Sequence, residues 1–269
     1  MTEIRIGIAG CAGRMGRTLV AETLAMPGLR LAAGTESSPE QQGRDLGSVA
    51  GLDPLGIAIA QDPAALFAAS DVVIDFTSPA ATLRNAATAA ETGKALVIGT
   101  TGLSAEQARA IEAAARQAPI IWAPNMSLGV NLLLGLVEQV ARALGPDYDI
   151  EILEMHHRMK QDAPSGTALG LGAAAARGRG IGLDEAAVRS RDGQTGKRPD
   201  GAIGFATLRG GDVVGDHSVI FAGPGERLEL THKAADRKIY ARGALRAAQW
   251  LAGRPPGLYG MQHVLGLSP

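Results

Sequence analysis

Short, nearly continuous apolar runs alternate along the chain with longer stretches whose apolar positions recur at helical spacing. Residues 4–10, Ile-Arg-Ile-Gly-Ile-Ala-Gly, are the first run and end in glycine. Residues 14–25 suit a helix, and 29–36 read as a second strand. Strand, turn, helix, strand is the unit that builds parallel sheets. It recurs as strands over 72–76, 95–99 and 120–123, with helices over 79–92 and 104–117. Strands without polar alternation need helices on both faces of their sheet. This part of the chain therefore predicts the α/β class: a Rossmann-like, doubly wound parallel sheet.

The pattern changes after Asn125. Residues 127–144 predict one long helix with Ser127 as its N-cap, 150–155 a strand and 167–177 a helix. Residues 203–233 read as antiparallel strands turned at Gly210-Gly211-Asp212 and Gly223-Pro224-Gly225. The expectation is a smaller α+β domain with a mostly antiparallel sheet. Residues 191–201, rich in Gly, Asp, Lys and Arg, read as a mobile loop, and 236–252 as a helix returning to the first domain. The predicted division is 1–126 with 236–269 as a dinucleotide-binding domain, and 127–235 as a domain for substrate and oligomerisation.

Composition narrows the function classes. The 269 residues carry a formal net charge of −1 and only 3% aromatics. Neither a basic surface nor stacking platforms for bases are available, so nucleic acid and anionic membrane are not expected partners. No continuous apolar run reaches the roughly 18 residues that span a bilayer. Cys11 is the single cysteine, which fits a reducing compartment. The N-terminus reads as the start of a strand, without the apolar segment of a signal peptide. A soluble, cytoplasmic protein is expected.

Gly10-x-x-Gly13-x-x-Gly16 differs by one residue from the commonest dinucleotide fingerprint, and an ordinary strand–helix turn would carry similar glycines. Its context is more specific. The loop follows a strand and opens a helix, where backbone can approach a pyrophosphate and the helix N-terminus favours its charge. Glu36 stands about 20 residues further on, where an acidic residue takes the ribose hydroxyls. Ser37 and Ser38 follow, where a site for NADP usually places an arginine. NADH is thus expected to serve at least as well as NADPH. Gly99-Thr100-Thr101-Gly102 and Ala123-Pro124-Asn125-Met126 end two further strands, which is either simple strand termination or the edge of a ligand crevice.

The second concentration of chemistry is Glu154-Met155-His156-His157-Arg158-Met159-Lys160, followed by Gln161-Asp162-Ala163-Pro164-Ser165-Gly166-Thr167. Two imidazoles and an ammonium can donate protons and bind carboxylates. Ser165 can cap a helix, and the N–H groups of Gly166 and Thr167 can hold an anion. In a regular strand Ile152, Glu154 and His156 share one face and His157 the other, so both histidines reach one site only where the strand ends. A zinc site is the weaker reading, because no further cysteine or histidine stands at ligand spacing. His217, His232 and His263 are scattered and read as structural or surface groups.

These segments resemble the 4-hydroxy-tetrahydrodipicolinate reductase family, formerly called dihydrodipicolinate reductases. The resemblance runs through Gly10–Arg17, Asp75-Phe76-Thr77, residues 97–102, 154–167 and 204–209, and 225–233, with His156-His157-Arg158-x-Lys160-x-Asp162-Ala163-Pro164-Ser165-Gly166-Thr167 as its most specific motif. It implies reduction of a cyclic imine dicarboxylate with loss of its 4-hydroxyl as water, in lysine and diaminopimelate biosynthesis. It implies His156 and Lys160 as proton donors, and His157, Lys160, Ser165, Gly166 and Thr167 as the carboxylate site. Gly10, Cys11, Ala12, Gly13, Arg14, Met15, Glu36, Gly99, Thr100, Thr101, Ala123, Pro124, Asn125 and Met126 would contact NADH or NADPH, with no metal. It further implies a homotetramer built through the sheet of the second domain, and closure of the domains around the ligand. Three positions depart from the family pattern: Ser37 replaces a frequent arginine, Ser78 stands where some members carry another, and Met126 stands where an aromatic is frequent. A dehydrogenase of amino or keto acids and a redox-sensing regulator are the competing readings. The second domain lacks the cysteine of an acyl-enzyme dehydrogenase. A regulator would not need His156 and Lys160.

Overall fold

The computed structural model describes residues 3–267. It forms two compact units: the residues up to Leu128 together with those from Lys238 onward, and Gly129–Arg237. In chain order the first unit opens with β1 (Ile4–Ala9), α1 (Arg14–Ala25), β2 (Leu29–Thr35), α2 (Leu46–Val49), α3 (Pro63–Ala69), β3 (Val72–Asp75), α4 (Pro79–Thr92), β4 (Ala95–Ile98), α5 (Ala105–Ala114) and β5 (Pro119–Trp122). Then come α6 (Leu128–Leu144), β6 (Asp149–His156), α7 (Gly166–Arg179), α8 (Leu183–Ala186), β7 (Ala187–Val188), β8 (Ile203–Arg209), β9 (Gly215–Gly223) and β10 (Glu226–Ala234). The chain ends with α9 (Lys238–Leu251), β11 (Gly257–Tyr259) and α10 (Met261–Val264).

The first unit is a six-stranded sheet in the order β11-β5-β4-β3-β1-β2, parallel throughout. Val72, Val73, Ile74, Leu96, Val97 and Ile98 are fully buried, as strands covered on both faces must be. Local chemistry starts and stops the helices. Ser78 and Ser104 accept hydrogen bonds from the backbone of α4 and α5, Gln107 completes a capping box at Ser104, and Gly93 ends α4 in the left-handed region. The sequence reading gave five strands. The sixth, β11, comes from the C-terminal tail and pairs with β5, a short segment without an apolar run of its own.

The second unit corrects a further expectation. Its sheet is mixed, in the order β10-β9-β6-β8-β7. β9 and β10 form the expected antiparallel hairpin, but β8 and β9 do not pair. β6 lies between them, antiparallel to β9 and parallel to β8. The Gly210–Asp212 link is therefore not a hairpin turn. It crosses the end of β6 and closes it with bonds from Gly210 N to His156 O, His157 N to Val213 O and Arg158 N to Gly211 O. α6 and α7 supply Leu133, Val137, Leu171 and Ala175 to a core shared with Ile150, Ile152, Phe205, Val219 and Phe221. The highly charged segment 191–201 is anchored: Arg191 and Arg198 both ion-pair with Glu151. With the turn after it, α6 is long and apolar enough to cross a membrane by length and composition, which the sequence reading did not anticipate. Glu138 and Arg142 interrupt its apolar run, and Val130, Leu133, Val137 and Ala141 are buried.

Candidate active site

In the first unit the chain runs from β1 out to β2 and returns to β3 on the other side of β1, which leaves a crevice at the carboxyl ends of the strands. A cleft of about 320 Å³ lies there, lined by Gly10, Gly13, Glu36, Ser37, Thr77, Ser78 and Arg84 among others. Its floor has no room for side chains. Gly10 has φ +68°, and a Cβ there would lie 2.7 Å from Thr77. At Gly16 a Cβ would lie 2.2 Å from the carbonyl oxygen of Gly10. Gly13 precedes α1 with no side chain to cap it. Glu36 accepts from Ala12 N at 3.2 Å and from Ser37 N at 2.8 Å, which fixes its carboxylate against the loop. Among the described lining residues Glu36 is the acidic one and Arg84 the basic one. Cys11 lies buried beneath the loop, and burial together with Glu36 pushes its thiol up to about 12. Arg14 is exposed and Met15 half-buried in the first turn of α1.

The remaining predicted cofactor residues do not line this cleft. Gly99, Thr100 and Thr101 follow β4, and Ala123, Pro124, Asn125 and Met126 follow β5, further along the same edge of the sheet. Gly99 leaves room for the Phe76 ring, 2.2 Å from where its Cβ would stand. Thr100 is buried against Thr82 and Asp75, and Met126 packs into the core, so either could offer a ligand only its backbone. Asp75, fully buried, also accepts from Thr77 N, Thr77 Oγ1 and Asn85 Nδ2, and so shapes the turn beside the glycine loop. The shape and donors fit a dinucleotide. Among the described residues no cluster of three His, Cys, Asp or Glu groups is placed to hold a metal ion.

In the second unit the side chains of β6 alternate as expected, with Ile150, Ile152, Glu154 and His156 buried. The strand ends at His156, so His157 and Lys160 continue on a turn, closed by a bond from Lys160 N to His157 O. His156 Nδ1 lies 2.5 Å from Glu154 Oε2. An ionised carboxylate only accepts, so the imidazole carries its proton on Nδ1 and turns Nε2 the other way. Burial pulls the His156 pKa below its ordinary value, against the opposing pull of Glu154. Lys160 Nζ pairs with Asp162 Oδ1 at 2.8 Å, and Asp162 is exposed enough to be exchanged for another carboxylate. Ser165 caps α7, accepting from Ala168 N at 3.2 Å, while its own N–H donates to Glu154 Oε1 at 3.0 Å. Gly166 and Thr167 form the first turn beside it, and a Cβ on Gly166 would meet nothing within 4 Å. The structure thus gathers His156, Lys160 and the Ser165–Thr167 turn around the end of one strand.

Two residues of this cluster were not singled out from the sequence. Arg209, at the end of β8, holds Glu154 with a two-pronged bond of 2.9 and 3.1 Å. His217 is not a surface group. It is 4% exposed, meets His156 edge-to-face at 5.0 Å between ring centres, and hydrogen-bonds Ser165 Oγ at 3.1 Å. Burial pushes it down to about 4. The signal for both was the period of two along β8 and β9, which places Arg209 and His217 on the inner face once β6 is known to lie between them.

The model of the dihydrodipicolinate reductase N-terminus matches residues 4–126, and that of the C-terminus matches residues 129–265. The chain belongs to the dihydrodipicolinate reductase family. The 4-hydroxy-tetrahydrodipicolinate reductase of Afipia carboxidovorans is 57% identical over 99% of this chain and 98% of its own. That of Brucella abortus is 57% identical over 97% and 98%. The dipicolinate-bound dihydrodipicolinate reductase of Paenisporosarcina sp. TG-14 superposes with a TM-score of 0.78 at 25% identity, covering 96% of this chain and 98% of that one. An amine dehydrogenase from Mycobacterium smegmatis shares the fold, with a TM-score of 0.61 at 14% identity. Membership of the family agrees with the resemblance drawn from the His156–Thr167 motif.

Proposed function

We propose that this chain reduces 4-hydroxy-tetrahydrodipicolinate to tetrahydrodipicolinate with loss of water, on the route to diaminopimelate and lysine. The observation that carries this reading is the meeting of an imidazole, an ammonium and a glycine-opened helix N-terminus around the end of β6, in a chain that matches both halves of the family. A bound reduced nicotinamide supplies the hydride. Glu36 holds the ribose hydroxyls, and the Gly10–Gly16 loop admits the pyrophosphate. His157, Lys160 and the Ser165–Thr167 turn hold the substrate carboxylates, with Lys160 leaving Asp162 for the ligand. His156 and Lys160 stand as proton donors to the ring. Burial leaves His156 mainly neutral at pH 7. A dianionic ligand beside it raises its proton affinity, so the imidazole becomes a competent acid when substrate is in place. NADH serves at least as well as NADPH because Ser37 and Ser78 carry no charge for a 2′-phosphate.

Apolar Leu153, Met155, Leu208 and Ile220 share the face of the mixed sheet opposite its helices, with Leu208 47% exposed. That face supports the assignment of the sheet as the interface of a homotetramer. The test of the function is oxidation of NADH, and separately of NADPH, with substrate generated in place by the preceding synthase. Turnover that requires the synthase product is the expected result. Tight dinucleotide binding without turnover would overturn the assignment.

A further inference from the structure

Glu154 is 1% exposed, yet its carboxylate collects the charges and donors of three elements. Arg209 on β8 gives it two bonds, Ser165 N at the head of α7 a third, and His156 on its own strand the shortest, at 2.5 Å; Thr207 Oγ1 stands at 3.4 Å. The second prong of Arg209 also reaches the carbonyl of Asp162, at 2.6 Å, in the segment that carries Lys160. As a device for stability alone such a pair is poor, because desolvation of the buried carboxylate and, in part, of Arg209 offsets their attraction. Its geometry is better explained by what it orients.

We propose that Glu154 and Arg209 are the positioning pair of the reaction: Glu154 locks His156 in the Nδ1–H form with Nε2 as the proton-transfer atom, and Arg209 keeps Glu154 ionised while tethering the Lys160 segment. This rests on His156 as a proton donor. Neither residue touches substrate in this scheme. The groups that face His156 are Glu154 from β6, Arg209 from β8, His217 from β9 and Lys160 from the turn after it. Glu154 is the one anion among them. It alone opposes the burial and the cations that drive the imidazole toward neutrality. Gly215 adds to the arrangement: a Cβ there would stand 3.0 Å from Nε2, a tight contact that glycine spares that nitrogen.

Glu154→Gln preserves shape and removes the charge. The expected result is a kcat lower by about ten- to hundredfold with KM little changed. The imidazole inflection of the kcat profile should move to lower pH. In the full-length protein, nitrogen NMR of the His156 ring should show the Nδ1–H form in the wild type and its loss in the variant. Arg209→Lys, which keeps the charge but not the fork, should give a smaller loss in the same direction and serves if Glu154→Gln fails to fold. A variant that melts earlier but keeps the wild-type tautomer, pH profile and kcat would overturn the proposal and leave a structural ion pair. If His156→Asn retained wild-type turnover, the proton-donor reading beneath it would fall instead, and the NMR result would separate the two.

Discussion

Arg84 shares a cleft with Glu36 and Ser37 although it lies far from both in sequence. With Ser37 and Ser78 uncharged, whatever affinity the cleft has for a 2′-phosphate would rest on this one lining cation. Arg84→Ala should weaken NADPH binding by about tenfold or more while NADH changes little, as read by fluorescence titration of each dinucleotide. Equal losses for both would remove Arg84 from the selection. At the other site, Lys160→Ala should lower kcat by about 10²–10⁴ and leave the dinucleotide Kd near wild type. A sensor without chemistry would keep its cofactor response and show no such loss. His217 carries a pH prediction. Its native pKa of about 4 lies below the unfolded value, so the unfolded chain binds the extra proton first. Stability is complete above about pH 6.5 and falls as pH drops toward 4, by about 2 kcal/mol at pH 5. Urea unfolding at pH 7 and pH 5 measures this, and His217→Gln should flatten the difference. His156, Lys160 and Glu36 could be named from sequence because each sits in a local motif. Arg84, Arg209 and His217 could not, since what gives them meaning is a neighbour from a distant segment.

At the level of elements, local rules sufficed wherever an element is made by its own residues. The helices over 14–25 and 79–92 and the apolar strands stand within a residue or two of their predicted ends; Ser78 and Gly93 bound α4, and Gly10 and Gly99 follow β1 and β4. The errors concern partnership. The link at Gly210-Gly211-Asp212 has the composition of a hairpin turn, and only the insertion of β6 between β8 and β9 shows that it bridges two separated strands. β11 was missed because three residues without a strong apolar pattern become a strand only against β5. The glycine loop gives the sharpest test at this scale. Gly16→Ala puts a methyl group against the Gly10 carbonyl, 2.2 Å away before relaxation. It should cost about 1–3 kcal/mol in thermal unfolding and weaken both dinucleotides together, because it displaces the loop rather than one contact. Unchanged binding would mean that the loop is not where the pyrophosphate lies.

For the whole molecule, the outer face of the mixed sheet carries the proposed homotetramer interface. Leu208→Asp, on an exposed position that supports no core, should shift the protein toward smaller species in sedimentation velocity while the first unit's dinucleotide binding persists. An unchanged tetramer, or a wild-type protein that sediments as a monomer, would refute that interface. The connectivity of the first unit bears on how the chain is made. α9 packs on α1, β3, β4 and β5, and β11 extends the sheet beyond β5, yet both are encoded after the whole of the second unit. During synthesis the sheet edge at β5 and the apolar surface that α9 covers have no native partner until α9 and β11 have been made. The nascent chain must therefore carry an unfinished N-terminal half while the middle completes itself. Removing α9 and β11 should therefore expose the first unit's core, a loss of structure that the order of birth makes specific to the C-terminal segment.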